Sequence, residues 1–340
     1  MITNFWYACE FSHKVGFQPF KLKLLGFDLV LYRDSKNKVR AVFDRCPHRG
    51  DRFSRGTVKG DCITCPFHGW KFNSDGNCIN IPSLKENEKI PKAAKLLKFD
   101  TAEKYGLIWV FFGDLEPEER PPLPDFPQLE DPSFASLEYE YFFRANYLRV
   151  LENGIDISHL PFLHQSTYGF EQNPIFEKIE SSVVKTEYSG KMSYRHEAEA
   201  PGLLKIAFRK PLDSVTNLYY HMPNISITTL DMKMGTFILF MSHLPVSEFE
   251  TRTIYLGLRN FYKPSIFNFG VKNGIRAIVS EDQTSVEEQR PRIIPEKIAD
   301  EVHVDLDALP LSYRRMHKKY FDKGWNIENL KFFDFLKASK

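Results

Sequence analysis

Cys46-Pro47-His48-Arg49-Gly50 and Cys65-Pro66-Phe67-His68-Gly69-Trp70 lie in one short region, with sixteen residues between His48 and Cys65. Each loop offers one thiolate and one imidazole, so together they supply four metal ligands. Such a set can hold zinc in a tetrahedron. It can equally hold a two-iron, two-sulfide cluster, with both cysteines on one iron and both histidines on the other. Neutral imidazoles in place of thiolates raise the reduction potential of such a cluster. Cys62 forms a Cys-x-x-Cys pair with Cys65, but Cys65 is already used in the four-ligand set. Cys9, Cys62 and Cys78 are then plain thiols. Five cysteines are an odd number and cluster in the first quarter of the chain, which argues for metal binding over a disulfide framework.

Around these loops the chain reads as short β-strands. Phe17–Tyr32 and Val39–Phe43 carry apolar runs, Gly50, Gly56, Gly60, Gly69 and Gly76 supply turns, and Lys98–Phe112 reads as a buried strand pair. Glu116–Pro127 has a linker's composition, rich in proline and acid, and sets a boundary near Pro121. The expected division is residues 1–120 and 121–340, in keeping with roughly 150 residues per domain for a chain of 340. Net charge is +2, which gives no reason to expect nucleic acid or an anionic membrane as partner. Apolar residues at 42% and charged residues at 26% suit a folded protein. The 30 phenylalanines favour a core or pockets built on large rings. No secretory leader or transmembrane segment is read from the sequence, so a soluble, cytoplasmic protein is expected.

The second informative stretch is Glu152-Asn153-Gly154-Ile155-Asp156-Ile157-Ser158-His159-Leu160-Pro161-Phe162-Leu163-His164. Apolar spacing predicts a helix over 146–164, kinked or ended by Pro161, with Asn153, Asp156 and His159 near one face. The kink lets His164 turn back toward the same point. Two imidazoles with a carboxylate from elsewhere make a facial triad, which leaves positions of Fe(II) open. Val183–Asn260 reads as sheet, and Phe269–Gln289 as a second helix. The tail from Arg314 to Lys340 is basic and aromatic, without a usable pattern.

The two constellations in one chain resemble the two halves of a Rieske non-haem iron oxygenase. Trp6-Tyr7 and Glu103-Lys104-Tyr105-Gly106-Leu107-Ile108-Trp109 add to the resemblance, which spans about residues 4 to 290. Size and layout resemble the alpha-only branch of vanillate and dicamba O-demethylases. The resemblance implies an α+β protein: an all-β Rieske [2Fe-2S] domain followed by a helix-grip catalytic domain of helices and antiparallel sheet. It implies that Cys46, His48, Cys65 and His68 hold the cluster, and that His159 and His164 hold a mononuclear Fe(II). The third ligand falls in Ser280–Gln289, where Asp282 matches the family position and Glu281 and Glu287 compete.

Further roles follow from the same resemblance. Electrons come from NAD(P)H through a separate reductase (a flavin reductase) or ferredoxin, and dioxygen and a small organic substrate are consumed. Asp156 joins His68 of one chain to His159 of the next, which implies a homotrimer, while Asn153 supports the iron. Pocket walls are expected from the sheet and from Tyr168-Gly169-Phe170, with Tyr219, His221 and His243 as conceivable substrate contacts. The expected activity is hydroxylation or oxidative demethylation. A dihydroxylating ring dioxygenase alpha subunit, a Rieske electron-transfer protein and a zinc-stabilised binding module are the alternatives.

Overall fold

The computed structural model describes residues 1–165, 175–198 and 212–337. It separates into two compact units, Met1–Pro122 with the segment beginning at Gly324, and Leu123–Lys323. Among the described residues no helix is long and apolar enough to cross a membrane.

The first unit is built of short antiparallel strands. β1 (Phe5–Phe11), β10 (Thr101–Lys104) and β11 (Leu107–Phe112) form one sheet in the order β1-β11-β10. β2 (Phe20–Leu24), β3 (Phe27–Arg33), β4 (Val39–Phe43) and β9 (Lys98–Phe99) form a second in the order β2-β3-β4-β9. A small third sheet runs β5 (Thr57–Lys59), β6 (Cys62–Thr64), β7 (Lys71–Phe72) and β8 (Cys78–Asn80), and the loops that hold Cys46 and Cys65 sit against it. Val30, Val42, Phe53, Ile63 and Phe72 are buried in one cluster with both of those cysteines. β11 is apolar and buried at every position because strands flank it on both edges and side chains cover both faces.

The expected division at residue 121 leaves the tail with the second domain, whereas here the segment from Gly324 groups with the first unit. Its aromatic residues supply the reason. Trp325 packs edge-on against Phe5 at 5.2 Å, and Phe332 meets both Phe99 and Phe112. Phe335, in the short helix Phe333–Lys337, meets Phe43. Thr3 N donates to the Trp325 carbonyl, and Lys331 N to Asp114. Burying each of Trp325, Leu330 and Leu336 is worth roughly 1.5–3 kcal/mol. A chain truncated after Lys323 is therefore expected to lose several degrees of melting temperature in the first unit. An unchanged unfolding profile, read by near-ultraviolet circular dichroism, would contradict this.

The second unit is an antiparallel sheet with helices on one face. β12 (Ala135–Phe143), β13 (Glu177–Lys178), β15 (Ser189–Ala198), β16 (Leu212–His221), β17 (Ile225–Met232), β18 (Gly235–Ser247) and β19 (Glu250–Arg259) run in the order β12-β19-β18-β17-β16-β15-β13. β14 (Val184–Lys185) pairs with β15 as well. Register fixes which side chains share a face. Tyr139, Tyr255, Met241, Ser226 and Tyr220 are cross-strand neighbours in one row, and Tyr141, Thr253 and His243 form another row on the same face.

That face is covered by α1 (Tyr147–Ile155), α3 (Asn268–Glu288) and α4 (Ala308–Asp322), with the one-turn α2 (Leu160–Leu163) following α1. Ile275, Val279 and Val286 of α3 pack on Leu137, Met241 and Tyr255 of the sheet. The apolar spacing over 269–289 matches α3, whereas no sequence pattern marks α4.

Candidate metal centres

The two loops of the first unit share one backbone pattern. Gly50 N donates to the Cys46 carbonyl at 2.9 Å, and Gly69 N to the Cys65 carbonyl at 3.1 Å. Cys46 N donates to the Asp51 carbonyl, and Cys65 N to that of Trp70, so each cysteine is tied to residues four and five ahead. Closing such a loop needs a positive φ, and Gly50 and Gly69 take +75° and +70°.

The loops turn both thiols inward and both imidazoles outward. Cys46 and Cys65 are each 2% exposed, while the His48 and His68 rings lie 4.6 Å apart at the surface. His48 stacks on Trp70 at 4.4 Å. Burial pushes the Cys46 thiol up to about 12, with the Cys65 thiol beside it adding to the effect. Two thiols buried side by side with two imidazoles above them are a donor set that fits an iron–sulfur cluster. Cys9 is buried and donates its thiol to the Tyr7 carbonyl, and Cys62 and Cys78 lie outside the four-residue set.

In the second unit the expected single kinked helix is two helices, and the break lies at Asp156 rather than at Pro161. Asn146 caps α1 by accepting from Leu148 N at 3.0 Å, and the helix ends where Asp156 turns extended at φ −90°, ψ 135°. The Asp156 carboxylate captures the backbone N–H groups of Ser158 and His159 at 2.9 and 3.1 Å, which competes with helix continuation. Pro161 instead sits in the first turn of α2, where a missing N–H costs nothing. His159 is thus placed by a turn, not by helical spacing from Asn153.

This turn and α3 bring His159, His164 and Asp282 together, with one ligand atom of each within 4.8 Å of the others. Asp282 Oδ1 lies 3.1 Å from His164 Nε2 and 3.6 Å from His159 Nε2. It is buried and has no partner in hydrogen-bonding geometry. The far nitrogen of each imidazole is held by a different carboxylate. His159 Nδ1 donates to Asp156 Oδ2 at 3.0 Å, and His164 Nδ1 to Glu281 Oε2 at 2.7 Å. These bonds hold the proton on Nδ1 and aim both Nε2 lone pairs at one point. An orphaned carboxylate oxygen facing two such lone pairs fits a divalent cation such as Fe(II).

Charges in the site follow from these contacts. Burial raises the Asp156 carboxyl, but the His159 ring and two backbone N–H donors outweigh it, so its pKa lies below the ordinary value. Burial likewise opposes charge on His164, and the Asp282 and Glu281 carboxylates more than offset this, leaving its pKa raised. Of the two competing carboxylates, Glu281 is behind His164. Glu287 accepts from Arg144 N and Gln283 Nε2, away from both imidazoles. Asn153 and Asp156 line a cavity of about 390 Å³ that His159 also borders.

The remaining expected contacts divide by sheet face. Tyr219 and His221 point to the face opposite the helices. His221 meets Phe126 there, and its row partners are Ile225 and Ser242. Strand alternation puts them on the face away from His159, His164 and Asp282. His243 points to the helix-covered face. Tyr168-Gly169-Phe170 lies outside the described residues. The sequence reading missed the Arg149–Glu152–Glu301–Arg314 network beside the cavity, because its members are far apart in sequence and carry no motif.

Comparison with known proteins agrees with this geometry. Residues 5–98 match the Rieske [2Fe-2S] domain, and residues 143–323 match the vanillate O-demethylase oxygenase C-terminal domain. The chain is 29% identical to methylxanthine N1-demethylase NdmA of Pseudomonas putida over 92% of its own length and 88% of that protein's. It is 26% identical to the 4beta-methylsterol monooxygenase of Methylococcus capsulatus over 93% and 87%. The fold is that of dicamba monooxygenase bound to 3,6-dichlorosalicylic acid, with a TM-score of 0.83 over 95% of this chain and 98% of that one, at 21% identity. The chain belongs to the Rieske non-haem iron oxygenases, in the alpha-only branch that carries the catalytic domain of vanillate O-demethylase.

Proposed function

We propose that this chain is the terminal component of a monooxygenase system that hydroxylates or oxidatively demethylates a small, methyl-bearing organic molecule. The observation that carries the reading is the buried Asp282 oxygen facing two imidazole nitrogens, each imidazole oriented from behind by its own carboxylate. A protein that only carried electrons would have no use for this second site. The names of the methylxanthine demethylase and the methylsterol monooxygenase support the substrate class.

In this reading Cys46 and Cys65 hold one cluster iron, His48 and His68 the other, and His159, His164 and Asp282 hold the mononuclear Fe(II). When bound, the cluster supplies electrons singly, from NAD(P)H through a ferredoxin or flavin reductase, and the iron supplies activation of dioxygen. The chain's own groups do the positioning. Asp156 fixes the His159 tautomer and, in a homotrimer, its second lone pairs accept from His68 of the next subunit. Asn153 lines the approach as a supporting polar group. The reading places the protein in the cytoplasm, a reducing compartment in which the Cys46 and Cys65 thiols stay reduced for the cluster.

Iron and acid-labile sulfide counts test the assignment. Three irons and two sulfides per chain are expected, two and two would make it a carrier, and zinc alone would make it a binding module. Single turnover of reduced protein with methoxylated aromatics, N-methyl amines and tetrapyrroles then reads the reaction. Gain of one oxygen or loss of a methyl group is expected, whereas gain of two oxygens and two hydrogens would indicate dihydroxylation. Asp156→Asn is expected to keep both metals and lower coupled turnover by about ten- to a hundred-fold, the usual cost of removing a group that orients a ligand. Unchanged turnover would remove Asp156 from the electron path.

A further inference from the structure

Beneath α1 lies a buried polar chain centred on His243. His243, on β18, is 1% exposed and makes hydrogen bonds through both ring nitrogens. Its Nε2 is 2.7 Å from Ser226 Oγ on β17, and its Nδ1 is 3.1 Å from Thr253 Oγ1 on β19. Ser226 and Thr253 are themselves fully buried. Burial holds the ring neutral, with its pKa pushed down to about 3.

Each end of the chain touches a wall of the metal site. At one end, α1 rests directly on it. A Cβ on Gly154 would lie 2.7 Å from Ser226 Oγ and 3.5 Å from His243 Nε2, so only glycine lets the helix settle to this depth. Gly154 separates Asn153 from the last residue of α1, and Asp156 N donates to the Asn153 carbonyl. The height of this turn therefore sets where Asp156 holds His159. At the other end, Thr253 lies two residues before Tyr255 on the same face of β19, and Tyr255 packs with Val279 and Val286 of α3, which flank Asp282 on one face of that helix.

We propose that His243 is a positioning residue for the mononuclear iron, bridging Ser226 under α1 to Thr253 of β19, the strand whose Tyr255 packs against the Asp282-bearing face of α3, and so fixing the distance between the two walls. The proposal rests on the assignment of His159, His164 and Asp282 as iron ligands. An apolar ring of similar size fills the volume but bonds to neither hydroxyl, so the buried link between β17 and β19 through position 243 is lost. The walls then lose their common reference.

The test uses full-length protein with its cluster intact. Fe(II) affinity of the mononuclear site and the electron paramagnetic resonance spectrum of its nitric oxide adduct are measured for wild type, His243→Phe, Ser226→Ala, Thr253→Val and Thr253→Ser. The cluster signal serves as the internal control. His243→Phe is expected to weaken iron by about ten- to a hundred-fold and to alter the nitrosyl spectrum while the cluster signal stays unchanged. Ser226→Ala and Thr253→Val should move the same way by less, and Thr253→Ser, which keeps the hydroxyl, should restore wild-type values. Lower melting temperature with unchanged affinity and spectrum would make His243 a structural residue only and overturn the proposal. If His243→Phe does not fold, unchanged iron binding in both Ser226→Ala and Thr253→Val overturns it equally. Failure of the wild type itself to bind Fe(II) outside the cluster would refute the ligand assignment instead.

Discussion

Asp282→Ala is expected to abolish turnover while leaving the cluster in place. The substitution removes the only anionic member of the proposed iron set, whose oxygen sits 3.1 Å and 3.6 Å from the two imidazole nitrogens. Two neutral imidazoles on separate turns are a poor site for a hard divalent cation. A bound metal typically contributes several kcal/mol to catalysis, which corresponds to roughly three decades in rate. The iron count should fall by one per chain with sulfide unchanged. Glu281→Gln is the matched comparison. It weakens the orienting bond to His164 Nδ1 and should cost about ten- to a hundred-fold. If the effects come out reversed, Glu281 is the ligand and Asp282 the support.

The largest stability effect is expected at Arg314→Met. Arg314 reaches from α4 to Glu152 on α1 with Nε and Nη2, and to Glu301 with Nη1 at 2.7 Å. Arg149 closes the set on Glu301 at 2.9 Å. Burial pushes the Glu152 carboxyl up, and Arg314 is the chief group opposing that shift. Removing the guanidinium strands a buried carboxylate, which typically costs about 3–5 kcal/mol.

The sign of the pH dependence is fixed by the same contacts. With its partner gone, Glu152 has a folded pKa above its unfolded value. The folded variant then binds the extra proton, and its stability falls as pH rises from the unfolded pKa to the folded one. The variant should therefore be closest to wild type in acid, as read from urea midpoints at several pH values. A double variant with Glu152→Leu should recover part of the loss, because no unpaired charge remains. Equal loss in single and double variants would locate the effect in packing rather than charge.

Much of the candidate site was legible because its cysteines and histidines cluster in sequence where tight loops hold them. Cys46, His48, Cys65 and His68 fall in two such loops, and the glycines that close them are visible as letters. His159 and His164 stand out by spacing, although the expected explanation, one helix kinked at Pro161, misplaced the break. Asp156 ends the helix because its carboxylate bonds to backbone N–H groups, a competition that apolar periodicity does not register. α4 was missed because Arg314, Arg315, Lys318 and Lys319 obscure its narrow apolar stripe of Leu309, Tyr313, Met316 and Tyr320.

By itself, the sequence determined the chemistry on offer: two thiolates and two imidazoles at cluster spacing, two more imidazoles downstream, and an acidic helix to complete a second site. These are local patterns, set by what a short loop or turn can hold. Only the tertiary structure brings Asp282, rather than Glu281 or Glu287, up to both imidazole Nε2 atoms, because successive carboxylates on one helix point in different directions and packing of α3 against the sheet selects one. It also decided that Tyr219 and His221 face away from the site while His243 faces it, since strand alternation has no sign until the helices choose a face. The return of the final aromatic residues to the first unit was likewise beyond sequence, because an apolar side chain carries no address and is buried by whichever surface fits it.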